Sequence, residues 1–508
     1  MTAPSKIDNI PSVNPRGGLT RKVVSGGFWV LSVRVFGKLL GLARTIILAR
    51  FLAPEDFGLM GIALLALSIM DTFSRTGFRE KIIQKEGETE SYLNTAWTVE
   101  FLRDSMIAII LLIGAPYIAA FFKNSDAIPI IRLIGLAHLA TGLTNIGILF
   151  WNRELEFKRL FIFEISGNIA DFIIAVFLAI IWKDVRALVF GLLGGKVVRL
   201  IASYILHPWR PKFAFDKSKA AEMFNYGKWL LISNVLIFLA IQGDDIFVGK
   251  YLGVVALGFY QMAYKISNLP ATEITHVISK VTMPAYARLQ IDKDRIREAY
   301  FRVLKINLAI SFPVAGLIFL VAPEFVSIVL GDKWVPIVPA IYVLSFYGAI
   351  RALSAVDGAL FRGTGNPRFE TIISLARLSI TIAIIYPLTK HWGIVGTSAA
   401  VTIPLIVTHP YNLVKSSKII GSSIPAILKL IMPPFLAVLI SLALPLFLFS
   451  ELIQSGFSLF VKCFSFFGIY IVTIYVLDKS VKGYNISNSI REVVLLAKKS
   501  SKKFHNNE

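Results

Sequence analysis

The feature that most constrains this chain is a succession of apolar stretches, each about 20 residues or longer, running from residue 23 to residue 477 with short polar breaks between them. A helix of that length crosses the hydrocarbon of a bilayer, and its backbone groups satisfy one another where there is no water to do so. Such stretches lie near 23–48, 57–78, 93–122, 128–150, 160–182 and 185–206, then near 222–243, 254–285, 299–322, 334–361, 368–388 and 391–414, with a last pair near 427–450 and 456–477. The expected fold is therefore all-α and integral to the membrane, with about 14 transmembrane helices. Composition agrees: 55% of residues are hydrophobic, 17% are charged, and the mean hydropathy is +0.68.

The net charge of +21 is spread over the short loops rather than gathered into a patch with interleaved aromatics, so it is read as a membrane-orientation signal and not as a nucleic-acid surface. Lys and Arg crowd the alternate loops that share a side with both termini: Lys6, Arg16, Arg21 and Lys22; Arg79, Lys81 and Lys85; Arg153, Lys158 and Arg159; Arg210, Lys212, Lys217 and Lys219; Arg288, Lys293, Arg295 and Arg297; Arg362 and Arg368; Lys415 and Lys418. Loops rich in Lys and Arg are retained in the cytoplasm, which places both termini there, as an even number of spans requires. The first 22 residues are polar and Pro-rich, and the stretch that follows carries Arg34, Lys38 and Arg44, so no cleavable signal peptide is expected. The one cysteine, Cys463, lies in an apolar run and is read as packing.

A shift of two hundred positions, without a gap, lays residues 23–60 over 223–260. Gly27, Trp29, Leu31, Val35, Leu39, Ile46, Leu52 and Gly58 then match Gly227, Trp229, Leu231, Val235, Leu239, Ile246, Leu252 and Gly258. Eight identities exceed the roughly three expected of two unrelated apolar segments. Six spans separate the copies, so the halves share one orientation and are related by an axis along the membrane normal, with a cavity expected between two six-helix lobes. The expected organisation is a cytoplasmic tail (1–22), an N-lobe (23–208), a C-lobe (219–420), a C-terminal helix pair (421–478) and a basic cytoplasmic tail (479–508).

Charges inside the spans are costly, about 2.5 to 3.5 kcal/mol each at a helix centre, so they face protein or water. In the first span Arg34, Lys38, Gly41 and Thr45 recur at helical spacing, with Arg44 beside them, as one basic, small-residue face. Two readings stand for it: contact with a large anionic ligand, or pairing with Asp71, Glu100 or Asp104 of the next two spans. Asp71 with Arg75, and Glu100 with Arg103 and Asp104, are spaced to neutralise one another locally. Glu164, Asn168 and Asp171 share a face opposite Lys196 and Arg199 of the adjacent span, again suited to ion pairing. In the second half Lys265, Asn268, Thr272, His276 and Lys280 form a stripe bordered by Glu273, read as facing the cavity. Arg351 and Arg377, beside Ser354 and Ser374, are further candidate cavity cations. Asp244 and Asp245 stand where the first copy has Arg44 and Thr45, and are either coupling-ion ligands or hydrated groups near the helix end.

The run from Gly191 to Val197 is reminiscent of a phosphate-binding loop, but Phe190 occupies the place of its first glycine and Val197 that of its Ser or Thr, so nucleotide hydrolysis is not expected. No His or Cys spacing suits a metal, no cofactor is implied, and no long polar loop offers a catalytic platform.

Four segments resemble the Wzx-type polysaccharide flippases: Gly26-Gly27-Phe28-Trp29, Leu48-Ala49-Arg50-Phe51-Leu52-Ala53-Pro54-Glu55-Asp56-Phe57-Gly58, Asp71-Thr72-Phe73-Ser74-Arg75-Thr76-Gly77-Phe78, and Phe361-Arg362-Gly363-Thr364-Gly365-Asn366-Pro367. That family lies in the superfamily that also holds multidrug extruders and lipid II flippases, and the likeness is strongest to exporters of colanic-acid type. The resemblance implies a non-enzymatic transporter of the bacterial inner membrane. It would move an undecaprenyl-pyrophosphate-linked oligosaccharide from the cytoplasmic to the periplasmic leaflet by alternating access, coupled to H+ or Na+, beside other polysaccharide assembly proteins. A cationic cavity is typical of such proteins. A multidrug antiporter of the same fold is the first alternative, disfavoured by the basic first span. A non-transporting scaffold gains nothing from charges placed in lipid, and a membrane glycosyltransferase lacks its catalytic loop.

Overall fold

The computed structural model describes residues 18–74, 90–154, 156–216, 238–269, 275–448, 455–480 and 484. Within them the chain is helical: α1 Gly18–Phe51, α2 Pro54–Ser74, α3 Glu90–Phe121, α4 Ala127–Gly142, α5 Phe157–Trp182, α6 Arg186–Leu206, α7 over 238–251, α8 Val254–Ser267, α9 Thr275–Leu289, α10 Lys293–Glu324, α11 Val338–Gly363, α12 Pro367–Ile420, α13 Ile424–Leu448 and α14 Gly456–Ser480. Nine helices among the described residues are long and apolar enough to cross a membrane. The longest, α12, is two spans: Gly393 takes φ 55° and ψ −136°, a left-handed backbone that suits glycine, and the chain folds back there so that Thr389 and Thr397 share a 2.8 Å hydrogen bond.

Two expected spans are broken. The stretch at 128–150 ends as a helix at Gly142. Asn145 then donates its backbone N–H to Ser203 Oγ (3.0 Å) and accepts from the backbone of Gly147 (2.9 Å), starting a separate short turn. The stretch at 254–285 is helical to Ser267, where Asn268 caps it, and again from Thr275; residues 270–274 between them lie outside the described residues. The helix that carries Lys265 ends before Asn268, and Thr272 of the expected stripe lies outside the described residues.

We refer to α1–α6 as the N-lobe and α7–α12 as the C-lobe; α13 and α14 pack on α10. A buried ion pair between Glu324 and Lys462 ties α14 to α10. The lobes meet where α2 and α8 begin. A Cβ on Gly58 would strike the carbonyl of Val254, and one on Gly258 would strike the carbonyl of Pro54, so each glycine admits the backbone of the other copy at the equivalent position. This reciprocity is what a two-fold relation between the halves requires. Cations extend it: Arg50 Nε donates to the carbonyl of Val329 (2.9 Å) in the C-lobe, and Lys250 Nζ donates to that of Phe121 (2.6 Å) in the N-lobe. Each neutralises the negative end of a helix in the opposite lobe. Trp334 Nε1 donates to the carbonyl of Ala49 (2.9 Å), and one apolar core joins Leu52, Ile62, Val248, Leu257 and Trp334 around the junction. The first fifteen residues of the second repeat copy, 223–237, lie outside the described residues.

Candidate functional site

Beyond the Gly58–Gly258 crossing, α2 and α8 line a cavity of about 840 Å³ together with α1, α4, α5, α6 and α7. Its charged lining is Lys38, Asp71, Glu164, Lys196, Arg199, Asp245 and Lys265, with His138 beside them. Residues from both lobes contribute, because a helix from each copy continues away from the junction along one side of the gap.

The N-lobe wall is largely self-paired. Arg103 holds Asp71 in an ion pair and donates to Ser74 Oγ (3.1 Å); it also lies 3.5 Å from Asp104. Arg199 donates to Asn168 (2.6 Å) and lies 3.4 Å from Glu164, as the facing of those two spans predicts. Asp171, expected in the same pairing, turns instead to Arg44 (2.8 Å), whose guanidinium also reaches the carbonyl of Leu188 (3.4 Å). Arg44 thus fastens α1 to α5 and α6 and stands outside the cavity lining, as does Arg34. Of the basic face of α1, Lys38 reaches the cavity. Glu100 and Asp104 are buried within the lobe, and Arg103 works behind the wall rather than on it.

Lys265 crosses the gap: its ammonium donates to Thr45 Oγ1 of α1 (2.5 Å). Lys196 lies 3.5 Å from His138 Nδ1. Neither lysine has a carboxylate within ion-pairing distance among the described residues, which leaves two ammonium groups able to meet an anion without first breaking a salt bridge.

The C-lobe handles its charges through hydroxyls. Arg351 donates to Tyr264 OH (3.2 Å), itself bonded to Tyr347 OH (3.2 Å), and lies over the Tyr347 ring at 5.8 Å. Arg377 donates to Thr408 Oγ1 (2.8 Å) and Ser354 Oγ (3.3 Å), so it braces α12 against α11. Asp244 is buried and accepts from Tyr260 OH (2.6 Å), whereas Asp245 faces the cavity. Arg75, Glu273 and the side chain of His276 fall outside the described residues.

Sequence reasoning missed several groups. His138 is buried yet touches the cavity, and its signal was an imidazole in the middle of an apolar stretch. Asp357 is 1% exposed and accepts from Tyr300 OH (2.7 Å) and Ser416 Oγ (2.6 Å), deep in the C-lobe. The Glu324–Lys462 pair was signalled only by a charge in each of two apolar runs, with nothing to say that they meet.

Known proteins fit this architecture. The chain is 26% identical to the lipopolysaccharide biosynthesis protein WzxC of Escherichia coli, over 72% of each chain. It is 27% identical to the teichuronic acid biosynthesis protein TuaB of Bacillus subtilis, over 57% of this chain and 60% of that one. Its fold is that of the lipid II flippase MurJ in an inward closed conformation, with a TM-score of 0.73 at 14% identity, over 89% of this chain and 99% of the other. The profile of the family described as "Polysaccharide biosynthesis protein" matches residues 47–339. With more than half of its 508 residues inside that match, the chain belongs to the polysaccharide biosynthesis protein family.

Proposed function

We propose that this chain flips a lipid-linked oligosaccharide across the bacterial inner membrane, from the cytoplasmic to the periplasmic leaflet, as its family and its fold support. The observation that carries the reading is the inter-lobe cavity with Lys38, Lys196 and Lys265 on its walls. A pyrophosphate is the part of such a lipid that hydrocarbon tolerates least, and ammonium groups replace the water it loses on entering the protein. The volume of about 840 Å³ suits the pyrophosphate and the first sugars, while the apolar chain stays in lipid. Both termini lie in the cytoplasm by the loop charges, so the Gly58–Gly258 junction seals the periplasmic end and the cavity serves the cytoplasmic leaflet. Rocking of the lobes about the cavity then exposes the site to the other side.

The test is flipping of a fluorescent undecaprenyl-pyrophosphate oligosaccharide in proteoliposomes, comparing the natural chain with Lys38→Ala and Lys265→Ala. A loss of flipping in the variants at unchanged expression supports the reading. Efflux of cationic dyes in place of any glycan lipid refutes it in favour of a multidrug antiporter.

A further inference from the structure

The shift that relates the two halves of the chain also relates two walls of the cavity. Gln261, Tyr264 and Lys265 line it from one face of α8, with the cap Asn268 a turn further on. Two hundred positions earlier, Gly61, Leu64, Leu65 and Ser68 of α2 line it too. The positions correspond one for one, but the chemistry does not: where α2 offers a bare backbone, two leucines and a hydroxyl, α8 offers two amides, a phenol and an ammonium. Polar groups inside a membrane span are costly unless they meet protein, water or a ligand. Part of the α8 face is held by the protein: Gln261 donates its amide to Asp245 of α7, and Tyr264 OH accepts from Arg351 and donates to Tyr347 OH, at 3.2 Å each. These bonds fix the side chains in place without exhausting them, since an amide and a carboxylate keep acceptor positions to spare after one hydrogen bond. Opposite Gln261 the other wall is cut back, because a Cβ on Gly61 would collide with the Gln261 amide.

We propose that this face of α8, with Gln242 and Asp245 of α7, is a sugar subsite that binds the hexopyranose bonded directly to the lipid pyrophosphate. The proposal rests on the lipid-pyrophosphate reading above and names the part of the substrate that the C-lobe selects. A pyranose is divided as the gap is: hydroxyls around its edge, each both donor and acceptor, and C–H groups on its faces. The two glutamine amides and the Asp245 carboxylate suit the edge, while the Tyr264 ring and Leu64, 38% exposed, suit the faces. Lys265 follows Tyr264 on the same helical face, so a phosphate at its ammonium brings the next group of the substrate, the first sugar, beside Tyr264 and Gln261. Recognition then divides between the walls. Lys38 and Lys196 of the N-lobe attract any phosphate, whereas the C-lobe discriminates among sugars, because a hexose that misplaces a hydroxyl leaves one of its polar groups unpaired.

The test is calorimetric binding to the full chain in nanodiscs, with geranylgeranyl pyrophosphate whose terminal phosphate carries glucose, galactose or a methyl group. The methyl ester keeps the charge of the other two probes and removes the hydroxyls. In the natural chain one of the hexosyl probes should bind about tenfold or more tightly than the methyl ester, the net yield of about two hydrogen bonds. Gln261→Leu and Gln242→Leu should each bring that ratio down to about threefold or below, while Lys265→Met should weaken all three probes and keep the ratio. Binding of the methyl ester shows that a variant is folded. Hexosyl probes that bind the natural chain no better than the methyl ester overturn the proposal alone, as does a ratio that survives in both glutamine variants. No binding of any probe by the natural chain overturns the pyrophosphate reading, and the proposal with it.

Discussion

The two lobes begin alike and end differently. At the junction Gly58 answers Gly258 and Arg50 answers Lys250, each pair making the reciprocal contact with the opposite lobe. Along the cavity the correspondence ends: the N-lobe wall is a mesh of ion pairs centred on Arg103, Arg199 and Arg44, whereas the C-lobe holds Arg351, Arg377, Asp244 and Asp357 by tyrosine, serine and threonine hydroxyls. Symmetry is kept where the halves must part and rejoin. It is given up along the walls of the cavity.

The sharpest way to break the comparison is to crowd the junction. Gly58→Val and Gly258→Val each push a side chain into a backbone carbonyl that has no rotamer to escape by, so each should cost about 3 kcal/mol or more and abolish transport. Thermal unfolding in detergent should show both losses to be of the same size; a variant that unfolds like the natural chain would mean that the two-fold contact is not held in solution.

Next in size is the polar network of the C-lobe. Asp357→Ala leaves Tyr300 and Ser416 donating to nothing in a dry interior and should cost about 2 to 4 kcal/mol, while Asp357→Asn, which still accepts, should cost markedly less. Equal losses for the two would assign the effect to size rather than to hydrogen bonding.

The cation latches should act on conformation more than on folding. Arg50→Met and Lys250→Met each remove a charged hydrogen bond between lobes and should move the balance toward an open junction by roughly tenfold. With Cys463→Ser and Ser68→Cys in the background, labelling of the cavity thiol by an impermeant reagent from the junction side should rise by that factor; unchanged labelling would show that the latches do not hold the junction shut.

The smallest effect belongs to a surface pair. Arg186 donates to Asp184 (2.6 Å) in the loop between α5 and α6, and this hydrogen bond holds the Asp184 carboxyl below the usual carboxylate range. A lowered carboxylate contributes stability at neutral pH that is lost as the pH falls through its folded-state value. Asp184→Asn should lower Tm by about 1 °C at pH 7 and by nothing in strong acid, because exposed pairs are weak.

Much of this fold was legible because lipid leaves few options. Runs of apolar residues had to be helices, and Gly58 with Gly258, read as a match in the repeat, proved to be the contact itself. Asn268 and Asn145 end helices inside two stretches that hydropathy alone had joined, since hydropathy registers burial and not backbone geometry. The site was legible only in part. Helical spacing put Arg34 and Lys38 on one face with Arg44 flanking it, but which neighbour each meets depends on how the helices cross: Lys38 met the cavity and Arg44 met Asp171. His138 and Asp357 were passed over because a single polar residue in an apolar run has no periodicity to betray it.

The ion pair between Glu324 and Lys462 has a consequence for biosynthesis. A ribosome delivers α10 to the membrane well before α14, so Glu324 waits without its partner while more than a hundred residues are made. A buried carboxylate without its counter-ion is destabilising, which keeps the nascent C-lobe loosely assembled until the last span supplies its lysine. A chain cut short before residue 456 therefore bears a mark of incompleteness inside the bilayer, where membrane proteases find their substrates, and a full-length chain hides it.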